Sequence, residues 1–207
     1  MNKIKYITAV LIALVGLGLQ QAKAVTTDFT STLTVPNSSS LGTGPFGTVD
    51  VTLLSSTVAQ ITFTANTAGG FFFIDTGAAG VQLSAAATPT FVSESILDFK
   101  NFTFGRNEDG FGTFTINLND KSASVQESTI VFDVTINSGT WASADSVLAF
   151  NSNGFDAAAH IIATLATDTP TGFVGEGAGH VPDGGTTAML LGAGLSGLGL
   201  VRRFVKR

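Results

Sequence analysis

The stretch Thr129-Ile130-Val131-Phe132-Asp133-Val134-Thr135-Ile136 decides the fold class. Ile130, Phe132, Val134 and Ile136 take every second position, and a strand sends successive side chains to opposite faces, so one face here is wholly apolar. The same period of two recurs on the N-terminal side. Phe29, Leu33 and Val35 share a face before Pro36. Val49, Val51 and Leu53 follow Gly47, and Ala59, Ile61, Phe63 and Ala65 lead into a turn from Asn66 to Gly70.

Phe71-Phe72-Phe73-Ile74 is continuous rather than alternating, which predicts a strand buried on both faces; an exposed aromatic patch is the competing reading. Val81, Leu83, Ala85 and Ala87 form another run. Phe114, Ile116 and Leu118 form one that ends at a turn, Asn119-Asp120-Lys121, and Ile161, Ala163 and Leu165 form the last. Among Leu97, Phe99, Phe102 and Phe104 the parity slips between Phe99 and Phe102, as a β-bulge makes it slip. No segment reads as a long amphipathic helix. Some nine short strands set apart by Gly, Asn, Asp and Ser clusters predict an all-β domain, a single antiparallel β-sandwich, with the jelly roll as one arrangement of it.

The ends of the chain differ from this body. Lys3 and Lys5 precede an apolar run from Ile7 to Leu19, and Ala22-Lys23-Ala24 sets small residues where signal peptidase cuts. Residues 1–24 therefore read as a cleavable secretory signal. The sequence has no cysteine, so lipid attachment through a thiol and a disulfide framework are both excluded. Of ten basic residues only Lys100, Arg106 and Lys121 lie in the body from Val25 to about Gly179, against fourteen of the fifteen acids, a formal charge of minus eleven. Such a body repels nucleic acid. Residues 25–174 are enough for one domain with a real core.

At the C-terminus, Val181-Pro182-Asp183-Gly184-Gly185 precedes the uncharged run from Thr186 to Val201, and Arg202, Arg203, Lys206 and Arg207 close the chain. Sixteen helical residues span about 24 Å, short of the roughly 30 Å bilayer core until flanking glycines and snorkelling arginine stems extend them. The four basic residues act as a stop-transfer cluster and keep that end cytoplasmic. Pro182 holds Val181 extended and Asp183-Gly184-Gly185 resists helix initiation, so the motif presents an accessible strand.

Motif, glycine-rich apolar run and basic end together resemble the PEP-CTERM class of bacterial sorting signals, most closely the variant reading Val-Pro-Asp-Ser-Gly (VPDSG-CTERM), with Gly184 replacing its serine. The resemblance implies processing by an exosortase, a membrane-embedded transpeptidase-like enzyme, and export to the cell surface or beyond. A structural or adhesive role in extracellular polysaccharide is implied on the same ground. The phrases around Gly139-Thr140-Trp141 and Ala158-Ala159-His160 are similar to ones that recur in the exported bodies of this class. Residues 1–24 thus read as signal peptide, 25–174 as β-domain, 175–185 as linker and motif, and 186–207 as a transmembrane helix with its basic tail. Signal peptidase, exosortase, the membrane and polysaccharide are the implied partners.

No catalytic, cofactor or metal site is expected. His160 and His180 are the only histidines and have no second ligand type at a recognised interval, so His160 reads as a packed residue and His180 as a linker residue. Asn107-Glu108-Asp109-Gly110 reads as a hairpin turn, with a partial calcium site as the alternative. There is no nucleophile elbow and no histidine beside a Ser and Asp pair, so an enzyme is not expected. A carbohydrate- or ligand-binding module is the alternative function, and it turns on whether Trp141 and the Phe71 cluster face solvent. In the tail, Gly192 with Ser196 and Ala193 with Gly197 are small residues four apart; they suit docking to the sorting enzyme or helix pairing.

Overall fold

The alternation at residues 130–136 becomes a strand whose inward residues Ile130, Phe132 and Val134 are all fully buried. The computed structural model describes residues 27–74, 77–92, 99–120 and 126–176. The expected signal peptide, the motif at residues 181–185 and the expected transmembrane helix lie outside them.

Among the described residues the chain is all-β, with three short 3-10 turns and no α-helix. Thirteen strands follow one another: β1 (Asp28–Pro36), β2 (Gly47–Ser55), β3 (Val58–Ala65), β4 (Phe71–Phe73), β5 (Ala79–Val81), β6 (Ala87–Phe91), β7 (Phe99–Thr103), β8 (Arg106–Glu108), β9 (Gly112–Phe114), β10 (Ile116–Asp120), β11 (Thr129–Ile136), β12 (Ala157–Ala163) and β13 (Thr171–Glu176). Eleven form one antiparallel sheet in the order β6-β11-β3-β2-β1-β13-β12-β5-β10-β7, with β4 also paired to β12. Strands β8 and β9 make a separate hairpin.

The strand count suggests two separate sheets. The ladder instead runs unbroken from β6 to β7, and distant parts of one sheet face each other across the core. Phe63 of β3 meets Phe73 of β4 edge-on, ring centres 6.1 Å apart, and Phe102 of β7 meets Phe132 of β11 at 5.6 Å. The two edge strands come together through Phe91 on β6 and Phe102 on β7, stacked at 4.0 Å, so the sheet is nearly closed. Closure of this kind hides the unpaired edges that a strand otherwise offers to another chain.

Several expected runs are redrawn by the structure. Val81 to Ala87 is not one strand: β5 stops at Val81, and the chain crosses to the opposite end of the sheet as β6. The crossing is held by the Leu83–Leu148 bridge and by Thr115 Oγ1, which accepts from Leu83 N at 2.7 Å. Phe114 does not share a face with Ile116 and Leu118, because the chain bends at Thr115 and Phe114 joins a separate cluster with Phe111 and Ala158. Leu165 lies in the turn after β12 and is 77 % exposed, and Val35 turns outward where the β1–β13 register shifts.

The slip near Phe99 is a real irregularity, since Asn119 faces Asn101 and Asp120 faces Phe99, skipping Lys100. Asn119 and Asp120 belong to β10 rather than to a turn. Phe71 and Phe73 are buried, and Phe72 and Ile74, which alternate with them, are half-buried. Strand β13 runs to Glu176, two residues past the expected domain boundary, because Gly175 lies under Phe111 and Glu176 faces inward opposite Leu33.

Phe132 sits beneath the Phe91–Phe102 contact, so its truncation removes core volume and support for the seam together. Phe132→Ala is expected to lower unfolding free energy by about 3–5 kcal/mol in urea denaturation. A loss below about 1 kcal/mol contradicts its place under the seam.

Candidate functional site

Two places in the structure carry chemistry that an apolar core does not account for, and both are built on acids. The first lies under the β8–β9 hairpin. Ala157 and Ala159 belong to the main core, so Ala158 between them points to the outer face, where Phe111, Phe114, Phe155 and Phe173 gather over it. Glycine is required beneath this cover. A Cβ on Gly175 overlaps the Phe111 ring, and one on Gly77, at φ +93°, falls 2.5 Å from Glu108 Oε2.

Side chains rather than a ladder pin the hairpin to the sheet. Asn117 Nδ2 donates to Glu108 Oε1 at 2.6 Å while Asn117 Oδ1 accepts from Arg106 N at 3.1 Å. Asn37 Nδ2 donates to Asp109 O at 3.2 Å, and Asn151 Nδ2 to Phe111 O at 2.9 Å. Glu108 is fully buried, and its Oε2 has no hydrogen-bond partner among the described residues. Burial pushes its carboxyl up to about 7, against the smaller opposing effects of the Asn117 hydrogen bond and the Arg106 charge.

The second place is the end of the sheet from which the chain runs on into its tail. Glu176, the last residue of β13, faces inward at 5 % exposure, and Asp156 just before β12 is 1 % exposed. Burial raises the Glu176 carboxyl well above its ordinary range, and a hydrogen bond and the charge of Asp156 raise it further. Ser31 on β1, two residues from Leu33 on the same inward face, is also buried with an unpartnered Oγ. Paired carboxyls are the raw material of acid–base catalysis, and here both are buried.

The other sequence candidates fall elsewhere. His160 lies on β12, half-buried and stacked on Phe173 with ring centres 4.5 Å apart. Trp141 is buried and its Nε1 donates to Ser84 Oγ at 3.3 Å, and Phe71 is buried too, so neither forms a solvent-facing sugar platform. Asp109 and Gly110 make the hairpin turn between β8 and β9, while Glu108 points inward instead of toward a calcium loop. Among the described residues no three His, Cys, Asp or Glu side chains converge as metal ligands. His180, Ala22, Ala24, the five motif residues and the four stop-transfer residues lie outside the described residues.

The raised carboxyls set the direction of pH dependence. With its folded value near 7, Glu108 keeps a proton that the unfolded chain has lost above about 4.5, so its contribution is fully present in acid and lost as pH rises through 7. Glu176 acts in the same sense and further into alkali. The protein is therefore expected to unfold at lower urea at pH 8 than at pH 5. Glu108→Gln, which cannot ionise, is expected to gain stability over wild type at pH 8 and little at pH 5. Equal effects at both pH values contradict a buried acid at 108.

No curated protein and no solved structure matches the chain. No helix among the described residues is long and apolar enough to cross a membrane. A family model does match outside the β-domain, over residues 180–203, which take in the Val181–Gly185 motif, the apolar run and the first two arginines. The chain carries the VPDSG-CTERM motif, the sorting signal that its tail resembles.

Proposed function

We propose that this is an exported bacterial protein that an exosortase processes through its C-terminal signal, and that its all-β body serves a structural or adhesive role in the extracellular polysaccharide layer. The observation that carries this is the match of residues 180–203 to the VPDSG-CTERM motif. In this reading Ala22 and Ala24 guide signal-peptide removal, residues 186–207 hold the chain transiently in the membrane, and Val181 to Gly185 are presented to the enzyme. Gly184 stands where the motif has serine. Removal of the tail then releases the β-domain from that hold.

A non-enzymatic role for the body is supported by the burial of the carboxyls of Asp156 and Glu176 and by the nearly closed sheet around them. The stacking form of a carbohydrate-binding module has less support, because Trp141 and Phe71 are both buried. We read the body as sandwich-like packing of one rolled sheet, a durable shape for a matrix component.

Fractionation of cells expressing wild type and Pro182→Ala/Asp183→Ala tests the reading. Wild type is expected in the surface or extracellular fraction, and the variant is expected to remain in the inner membrane. Equal release of the two overturns a role for the motif in sorting.

A further inference from the structure

Three oxygen-bearing side chains are buried together at the Glu176 end of the sheet, on or beside the adjacent strands β1, β13 and β12. Glu176 faces Leu33 across the β1–β13 ladder, and one step past the Ala158–Gly175 pair sets Ala157 on its other side. Antiparallel register carries both neighbours past Glu176 in the same direction, β1 back to Ser31 and β12 back to Asp156. Ser31 turns inward, since Thr30 and Thr32 on either side of it are exposed while Ser31 and Leu33 are buried. It stands on the diagonal from Glu176, about 7–8 Å between backbones, a gap within reach of a long side chain. Asp156 hydrogen-bonds to Glu176 directly.

Two atoms of this group are left over. Ser31 Oγ and Glu176 Oε2 are buried with no hydrogen-bond partner among the described residues, on side chains 7 % and 5 % exposed. Buried polar atoms are satisfied almost without exception, so a water or an ion must serve where the protein's own groups do not. No basic side chain balances the two acids from the strands that hold them. Strands β1 and β13 contain no Lys, Arg or His, and His160 of β12 lies on the outer face, stacked on Phe173.

The donor chemistry selects the occupant. Two carboxyls and a hydroxyl are hard oxygen ligands, with no thiolate or imidazole among them, and such a set suits calcium or magnesium rather than zinc or copper. Burial separates the first two. Magnesium gives up its waters reluctantly and keeps several, whereas calcium accepts an irregular shell of protein oxygens, and a site this closed leaves little room for retained water. We propose that Ser31, Asp156 and Glu176 bind one calcium ion, which ties the approach to β12 and the end of β13 to β1. With both carboxylates bidentate, the three side chains nearly fill a shell of about six oxygens, and a backbone carbonyl or a water completes it. The ion replaces the proton between the acids and gives Ser31 Oγ and Glu176 Oε2 a partner. This inference is independent of the sorting and polysaccharide readings.

Thermal unfolding of the full-length protein in detergent, stripped with EDTA and then supplied with calcium or magnesium, tests this. For a site with two carboxylates and a Kd of about 10⁻⁴–10⁻³ M, about 10 mM calcium is expected to raise Tm by about 3–10 °C, and magnesium by under about 1 °C. Asp156→Asn/Glu176→Gln is expected to lose the calcium shift. Ser31→Ala, which changes no charge, is expected to weaken calcium binding severalfold in isothermal titration. Asp28→Asn/Asp50→Asn/Asp133→Asn, acids bonded to Thr and Gln side chains elsewhere on the sheet, is expected to keep the full shift. Absence of a calcium shift in wild type means that water satisfies the group, and overturns the assignment. So does an equal shift with magnesium, a shift retained by Asp156→Asn/Glu176→Gln, unchanged affinity in Ser31→Ala, or loss of the shift in the triple variant. The calcium and magnesium comparison uses wild type and does not depend on how well the variants fold.

Discussion

A long sheet has two edges to hide, and here the rings of Phe91 and Phe102 close the gap between them at 4.0 Å. Among the described residues β6 and β7 share no ladder, and ring contact joins them at the seam. Phe132 supports it from below, edge-on to Phe102. If that cluster loosens, two strand edges open together, and exposed edges are templates for aggregation. For a protein that works outside the cell with no disulfide, the apolar closure takes the role that cross-links fill elsewhere.

The buried acids limit the same core. Glu108 under the hairpin and Glu176 at the end of β13 are stable in place while they hold protons, so the structure is better suited to acid than to alkali. Glu176 stands five residues before the sorting motif begins, so the last residue of β13 is a buried acid close in sequence to the point where the tail is read. The outward face of β1, β2, β3, β11 and β6 shows the opposite arrangement. There Asp28 and Asp50 accept from threonine hydroxyls and Asp133 from the Gln60 amide.

Period two at residues 59–65 and 130–136 was enough to place β3 and β11 and their inward side chains, because each keeps one face in the core from end to end. It misled at Val81 to Ala87 and at Phe114 to Leu118. Alternation says which residues share a face only while the strand stays straight, and the breaks here depend on Leu148, Thr115 and Val81, partners that no local pattern names. Glu108 was illegible for the same reason. Between Asn107 and Asp109 it looks like a solvated turn acid, and the residues that bury it, Gly77, Gly80 and Asn117, come from two other parts of the chain. The tail was legible because a sorting signal is read as a linear segment, with no long-range packing required to define it.

Intact mass of the mature protein recovered from outside the cell tests the central claim most directly. The account predicts a chain that starts at Val25 and ends near Val181 to Gly185, without Arg202 to Arg207. A recovered chain that still carries Arg207 contradicts it, and leaves the tail as a plain anchor rather than a processed signal.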